Sequence, residues 1–224
     1  MEHDADQLRN GFALEGHPFA RAFSIIELMI VCAIVAILAA ASGPSLVQTL
    51  RGSYLNRGGD RIASLMEQAR LAALTRRLPV DVRFFAYADP TQPGAPGGVH
   101  SAQAFLISET GIAAPLTQVM QLPDPVVITS NPILTTLWTL PHWGQSIPPL
   151  SIPRAGGAFD CRVIRFFPSG LTSLAGNGSQ ASWCLTLLNS KDDLPNASAP
   201  PRDFITFVLD PFSGTLRTYR PGLR

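Results

Sequence analysis

Apolar and polar residues are sharply segregated along this chain. Residues 1–22 mix Glu2, Asp4, Asp6 and Glu15 with Arg9 and Arg21, and Gly11, Gly16 and Pro18 interrupt any helical face. From Phe23 the sequence FSIIELMIVCAIVAILAAASGPSLV is almost wholly apolar, with fourteen consecutive apolar residues between Leu28 and Ala41. A helix over Phe23 to Val47 would extend about 37 Å, enough to cross a hydrocarbon core of about 30 Å. The pattern predicts a leader over 1–22 and a transmembrane helix over 23–47. Pro44 removes a backbone donor and crowds the preceding turn, so a kink is expected there.

Beyond the apolar run the period stays helical. Leu46, Leu50 and Tyr54 extend a stripe at fourfold spacing, and Ile62, Leu65, Ala69 and Ala72 continue one. Residues 48–78 therefore read as an amphipathic continuation, loosened at Gly58–Gly59, restarted with Asp60 as N-cap, and ended by Leu78–Pro79. The pattern then turns strand-like. Val80–Phe84 alternates apolar with charged residues, as a half-buried strand does. Further strands are predicted at Gln103–Ser108, Val126–Thr129, Arg162–Phe167 and Trp183–Leu188. Phe204–Leu209 and Thr215–Tyr219 form a closing hairpin around Asp210–Pro211–Phe212–Ser213–Gly214. Residues 131–157 carry no assignable pattern. The fold class is α+β: a long N-terminal membrane-spanning helix packed on a small antiparallel sheet domain over 79–224.

Composition adds little to this division. The 20 prolines lie mostly beyond residue 79, which excludes long helices there. A formal charge of +1 predicts no strong attraction to nucleic acid from the chain as a whole. Of the three cysteines, Cys32 sits in the apolar run as a small hydrophobe. Cys161 and Cys184 are the candidate disulfide pair in an oxidising compartment. A simple hairpin between their strands would place Cys161 opposite a residue near 188. That is an offset of about 13 Å from Cys184, beyond the limit of about 7 Å for a bridge, so two free buried thiols are favoured.

The chemistry concentrates at Glu27. A carboxylate inside a spanning helix costs roughly 2.5–3.5 kcal/mol on insertion scales, which marks it as functional unless it reaches the interface. The residues around it, Arg21–Ala22–Phe23–Ser24–Ile25–Ile26–Glu27–Leu28, resemble the processing site of type IV prepilins and pseudopilins. The resemblance implies cleavage by a prepilin peptidase between Ala22 and Phe23, and methylation of the new amino terminus. It also implies that Glu27 engages the amino terminus of a neighbouring subunit during fibre assembly. The family usually carries glycine before the cut, where this chain has Ala22. A terminal amine with a pKa of about 7.7–8.0 is mostly cationic at neutral pH and can neutralise a carboxylate in an apolar bundle.

Weaker resemblance continues along the chain. The stretch from Gly59 to Phe84, Ile164–Gly170 and the terminal hairpin look like H-type minor pseudopilins. Phe85–Pro90, Ala102–Leu106, Trp183–Leu187 and Asp210–Pro221 look closest to the family called Verru/Chthon cassette protein D. The function implied is a non-enzymatic minor pilin or pseudopilin subunit. Its expected partners are a prepilin peptidase, other pilin-like subunits and the membrane. Its expected place is the bacterial inner membrane, with the C-terminal domain exported.

Three alternatives stand beside it. A secretory signal peptide cut in Ala39–Gly43 competes with the spanning helix, and a single-pass anchored protein of another role remains open. A nucleic-acid-binding minor pilin would use Arg217, Arg220 and Arg224, with Arg70, Arg76, Arg77 and Arg83 near the helix end. Removing 1–22 takes two of 17 cations and four of 16 anions, leaving +3. An enzyme finds no support: His100 and His142 lack metal-ligand spacing, and no phosphate loop or nucleophile elbow appears. No cofactor or metal is expected.

Overall fold

The computed structural model describes residues 24–88, 97–140, 152, 159–175, 183–194 and 196–221; for 40–49, 137 and 138 only the backbone is described. Two compact units divide the chain, Met1–Leu46 and Val47–Arg224. One helix, α1, runs from Ile25 to Arg76 without a break. Ser24 precedes it, its carbonyl accepting from Leu28 N at 3.1 Å.

In the second unit α1 buries one face. Leu55, Ile62, Leu65, Met66, Ala69 and Ala73 fall on one helical face and are 4% exposed or less. The expected stripe is therefore shifted: Leu50 and Tyr54 are exposed, and Met66 and Ala73 take core positions. Gly58 and Gly59 do not loosen the helix, and Asp60 starts no new one. A Cβ at Gly58 would lie 3.1 Å from Val126 Cγ1, and one at Gly59 3.0 Å from Ile205 Cδ1. The pair lets the helix approach the sheet closely. The helix ends before Leu78, because Arg77 takes a left-handed φ of 55°.

Nine antiparallel strands form one sheet among the described residues. They are β1 (Val80–Tyr87), β2 (Gly98–Ile107), β3 (Ala113–Pro115), β4 (Met120–Gln121), β5 (Val126–Ile128), β6 (Asp160–Phe166), β7 (Trp183–Asn189), β8 (Ile205–Leu209) and β9 (Leu216–Tyr219). The order is β6-β1-β2-β5-β7-β8-β9, with β3 and β4 also paired to β2. The closing hairpin β8–β9 is as expected, with Gly214 at φ 64° and its Cβ position 3.1 Å from the Phe166 ring. Short β3 and β4 carry no sequence signal. Within 131–157 a 3-10 turn spans Thr136–Thr139, and much of the rest lies outside the described residues.

Two expectations are corrected by this topology. The strands holding Cys161 and Cys184 are not a hairpin: β6 pairs β1, and β7 pairs β5 and β8. Both cysteines are free. Strand β1 is not half-buried. All eight of its residues are buried, because it lies between β2 and β6 with apolar layers on both faces. Val80, Val82 and Phe84 join the core beneath α1, while Phe85 and Tyr87 join a second cluster with Phe105, Ile107, Ile152 and Cys161.

The charged positions of β1 pair within that second layer, although Arg83 Nε and Nη1 are buried with no hydrogen-bond partner among the described residues. Asp81, fully buried, accepts from Arg165 Nε at 2.6 Å and Nη2 at 3.0 Å. Arg83 lies 3.7 Å from the same carboxylate and stacks 4.2 Å from the centre of the Phe105 ring. The hydrogen bond to Asp81 also raises the Arg165 pKa further above its ordinary value.

Candidate assembly site

The first part of α1 follows a different rule from the second. Every described side chain from Ser24 to Ala39 is exposed, and all but Ser24 and Glu27 are apolar. Ile25 (81%) and Ile37 (69%) mark the extremes of a surface with no polar face. A helix apolar all round is stable in water only when something covers it.

Glu27 lies in the first helical turn, where a negative charge is favoured by the helix dipole. Ser24 and Glu27 have the Ser-x-x-Glu spacing found in capping boxes. Its helical neighbours Ile30 and Val31 are apolar. No described residue pairs with its carboxylate, and the next cation in the sequence of α1 is Arg51. Glu27 is thus a carboxylate on an apolar surface without a counter-charge in its own helix turn.

Among the described residues no helix is long and apolar enough to cross a membrane. The described apolar side chains, Ile25 to Ala39, cover about 22 Å against the roughly 30 Å required. Ala22 and Phe23, the expected processing pair, lie outside the described residues, as does Arg224. α1 is continuous through Pro44.

The arginines do not gather into one patch. Arg83 is buried, Arg70 donates to Ser213 O at 2.9 Å and pairs with Glu67, and Arg220 donates to Asn56 Oδ1. Arg76, Arg77 and Arg217 are exposed. Burial pushes the Cys161 thiol up to about 12, which keeps it protonated and poorly nucleophilic. Among the described residues no group of three or more His, Cys, Asp or Glu is placed to hold a metal ion. His100 is buried with its ring 5.0 Å from that of Tyr87.

Sequence comparison adds one localised match. The family described as "Prokaryotic N-terminal methylation motif" matches residues 19–43, a span that contains Ala22, Phe23 and Glu27. Such a motif implies a membrane-anchored, pilin-like chain. Comparison with curated proteins gives no match. Among solved structures, the type IV minor pilin FimU of Pseudomonas aeruginosa aligns at 9% identity, over 75% of this chain and 92% of its own, with a TM-score of 0.40. The minor pseudopilin EpsH from the Type 2 Secretion System of Vibrio cholerae aligns at 9% identity over 75% and 98%, with a TM-score of 0.42. A second structure of that protein gives 10% identity, 78% and 99% coverage, and 0.38. Likeness at these scores is too low to carry an argument about fold or function.

Proposed function

We propose that the chain is a non-enzymatic minor pilin or pseudopilin subunit, cut by a prepilin peptidase between Ala22 and Phe23 and assembled into a pilus-like or secretion-related fibre. The supporting observation is the methylation motif at 19–43, which overlaps the start of α1, where every described side chain from Ile25 to Ala39 is exposed. Before assembly, residues 23–47 would hold the protein in the inner membrane, with the sheet unit exported. In the fibre, the same surface would pack on the apolar helices of neighbouring subunits. The Phe23 amine of one subunit would meet the Glu27 carboxylate of the next, neutralising both in an apolar bundle. Within this class we read the chain as closest to Verru/Chthon cassette protein D, on the sheet segments named above.

Intact-mass analysis and N-terminal sequencing of the membrane-extracted protein test this directly. A mature chain beginning at a methylated Phe23 is expected. A chain retaining Met1, or one cut after residue 41, would overturn the proposal.

A further inference from the structure

The path of the sheet ends in β6 on one side and β9 on the other, and the two edges differ. Beside β6 the chain folds back on itself. Ser173 N donates to Arg165 O at 2.8 Å, Arg165 N donates to Ser173 Oγ at 3.1 Å, and Phe166 bridges Thr172. Beside β9 no described residue does the same. The register shows which of its groups stay open. Asp210 N donates to Thr215 O at 3.0 Å, and bonded and non-bonded pairs alternate along an antiparallel ladder. The next bonded pairs are therefore Val208–Arg217 and Thr206–Tyr219. The N–H and C=O groups of Leu216 and Thr218 point away from β8, with no partner among the described residues. A row of unpaired backbone groups is a template for another strand.

This edge is held at both ends. Arg70 Nε donates to Ser213 O at 2.9 Å where β9 begins, and Arg220 donates to Asn56 Oδ1 where it stops. The strand is thus fixed along α1 before any partner arrives, which lowers the ordering cost of pairing. Leu216 packs against the core beneath α1, so Arg217 and Tyr219 lie on the opposite face, and both are exposed. Arg217 has no hydrogen-bond or ion-pair partner among the described residues. The acid of its own hairpin is engaged elsewhere: Asp210 accepts from Phe212 N at 2.9 Å and from Ser213 Oγ at 2.7 Å. From Thr215 to Pro221 the sequence holds two arginines and no acid.

We propose that β9 receives an extended, acid-bearing segment of a different protein as an added strand. The segment's backbone pairs with the open groups of Leu216 and Thr218, and one of its carboxylates faces Arg217 across the new ladder. Charge complementarity selects this occupant. A second copy of β9 brings arginines and no acid to the edge in either strand direction, so self-pairing leaves the guanidiniums without a counter-charge. The inference rests on the sheet unit alone and stands or falls apart from the processing of the N-terminus.

The test places the photo-crosslinking residue p-benzoylphenylalanine at Tyr219 of the full chain in its own cells. Adduct peptides are sequenced by mass spectrometry in otherwise unaltered protein and in variants of the two preceding residues. Thr218→Pro removes an outward N–H and leaves the bonds to β8 in place. The expected adduct is a peptide of a different protein that carries Asp or Glu. Its yield falls about tenfold in Thr218→Pro and about fivefold in Arg217→Glu. It is retained in Thr218→Ala and Arg217→Lys. An adduct to lipid, to nucleic acid, to a second copy of this chain or to a segment without acids would overturn the inference. So would no adduct, or a yield indifferent to both Thr218→Pro and Arg217→Glu. Should Thr218→Pro lose the protease resistance of the sheet unit, Arg217→Glu, an exchange at an exposed side chain, decides alone.

Discussion

The two parts of α1 share one backbone and obey opposite rules. From Leu55 to Arg76 the helix hides one apolar stripe against the sheet and leaves Leu71 and Leu74 exposed among polar residues. From Ile25 to Ala39 it is apolar on every side and covered by nothing among the described residues. The first pattern makes a folded domain; the second demands a membrane or another subunit. Each region also holds an acid in apolar surroundings. Asp81 finds Arg165 and Arg83 in its own sheet, whereas Glu27 finds no partner among the described residues. Where the counter-charge sits separates a structural acid from one available for assembly.

The largest expected effect follows from that contrast. Asp81→Ala leaves Arg83 buried without its carboxylate and should cost about 3–5 kcal/mol of unfolding free energy, measured by chemical denaturation in detergent. Glu27→Gln, by the same measurement, should change the sheet unit's stability by less than about 0.5 kcal/mol. A similar cost at both positions would erase the distinction. Apolar truncation sharpens it. Ile62→Ala should cost about 2–5 kcal/mol, because Ile62 is fully buried beneath the sheet. Ile34→Ala should leave that transition in place and instead reduce retention in the membrane fraction.

Small residues give a third comparison. Gly59→Leu forces a side chain toward Ile205 and should cost about 1–3 kcal/mol, while Ala36→Leu, on the exposed apolar surface, should be neutral. The smallest effect concerns the β8–β9 turn. The Phe212 backbone N–H, and then the Ser213 hydroxyl, hold the Asp210 carboxyl below its usual range. With the folded pKa depressed, its stabilisation is complete above the unfolded value of about 3.9 and is lost as pH falls through the folded value. Asp210→Asn should remove that part of the acid dependence of Tm below about pH 4.

Much of this division was legible in the residues. The apolar run, the amphipathic stretch and the strands from Val80 onward follow from period alone, and the 210–214 turn from its Asp-Pro and Gly. Topology was not, since period cannot say which strands pair. The Cys161 and Cys184 strands look like neighbours along the chain, yet β1, β2 and β5 lie between them in the sheet. The buried charges of Val80–Phe84 misled for a related reason: alternation reads as one wet face, but Arg165, distant in sequence, makes that face dry. Gly58–Gly59 read as a break because a sequence does not reveal that Val126 and Ile205 press against the helix there. At the candidate site, Glu27 is legible from the apolar run around it, while its place in the first helical turn follows only from where α1 begins.

One substitution at Glu27 is decisive. Glutamine has nearly the size and helix propensity of glutamate but carries no charge, so Glu27→Gln preserves the helix and removes only the attraction to a neighbour's amine. The measurement is incorporation of processed Glu27→Gln protein into the fibre fraction, relative to the unaltered chain at equal membrane abundance. The account predicts that incorporation is lost while processing at Phe23 and folding of the sheet unit persist. Undiminished incorporation would contradict it.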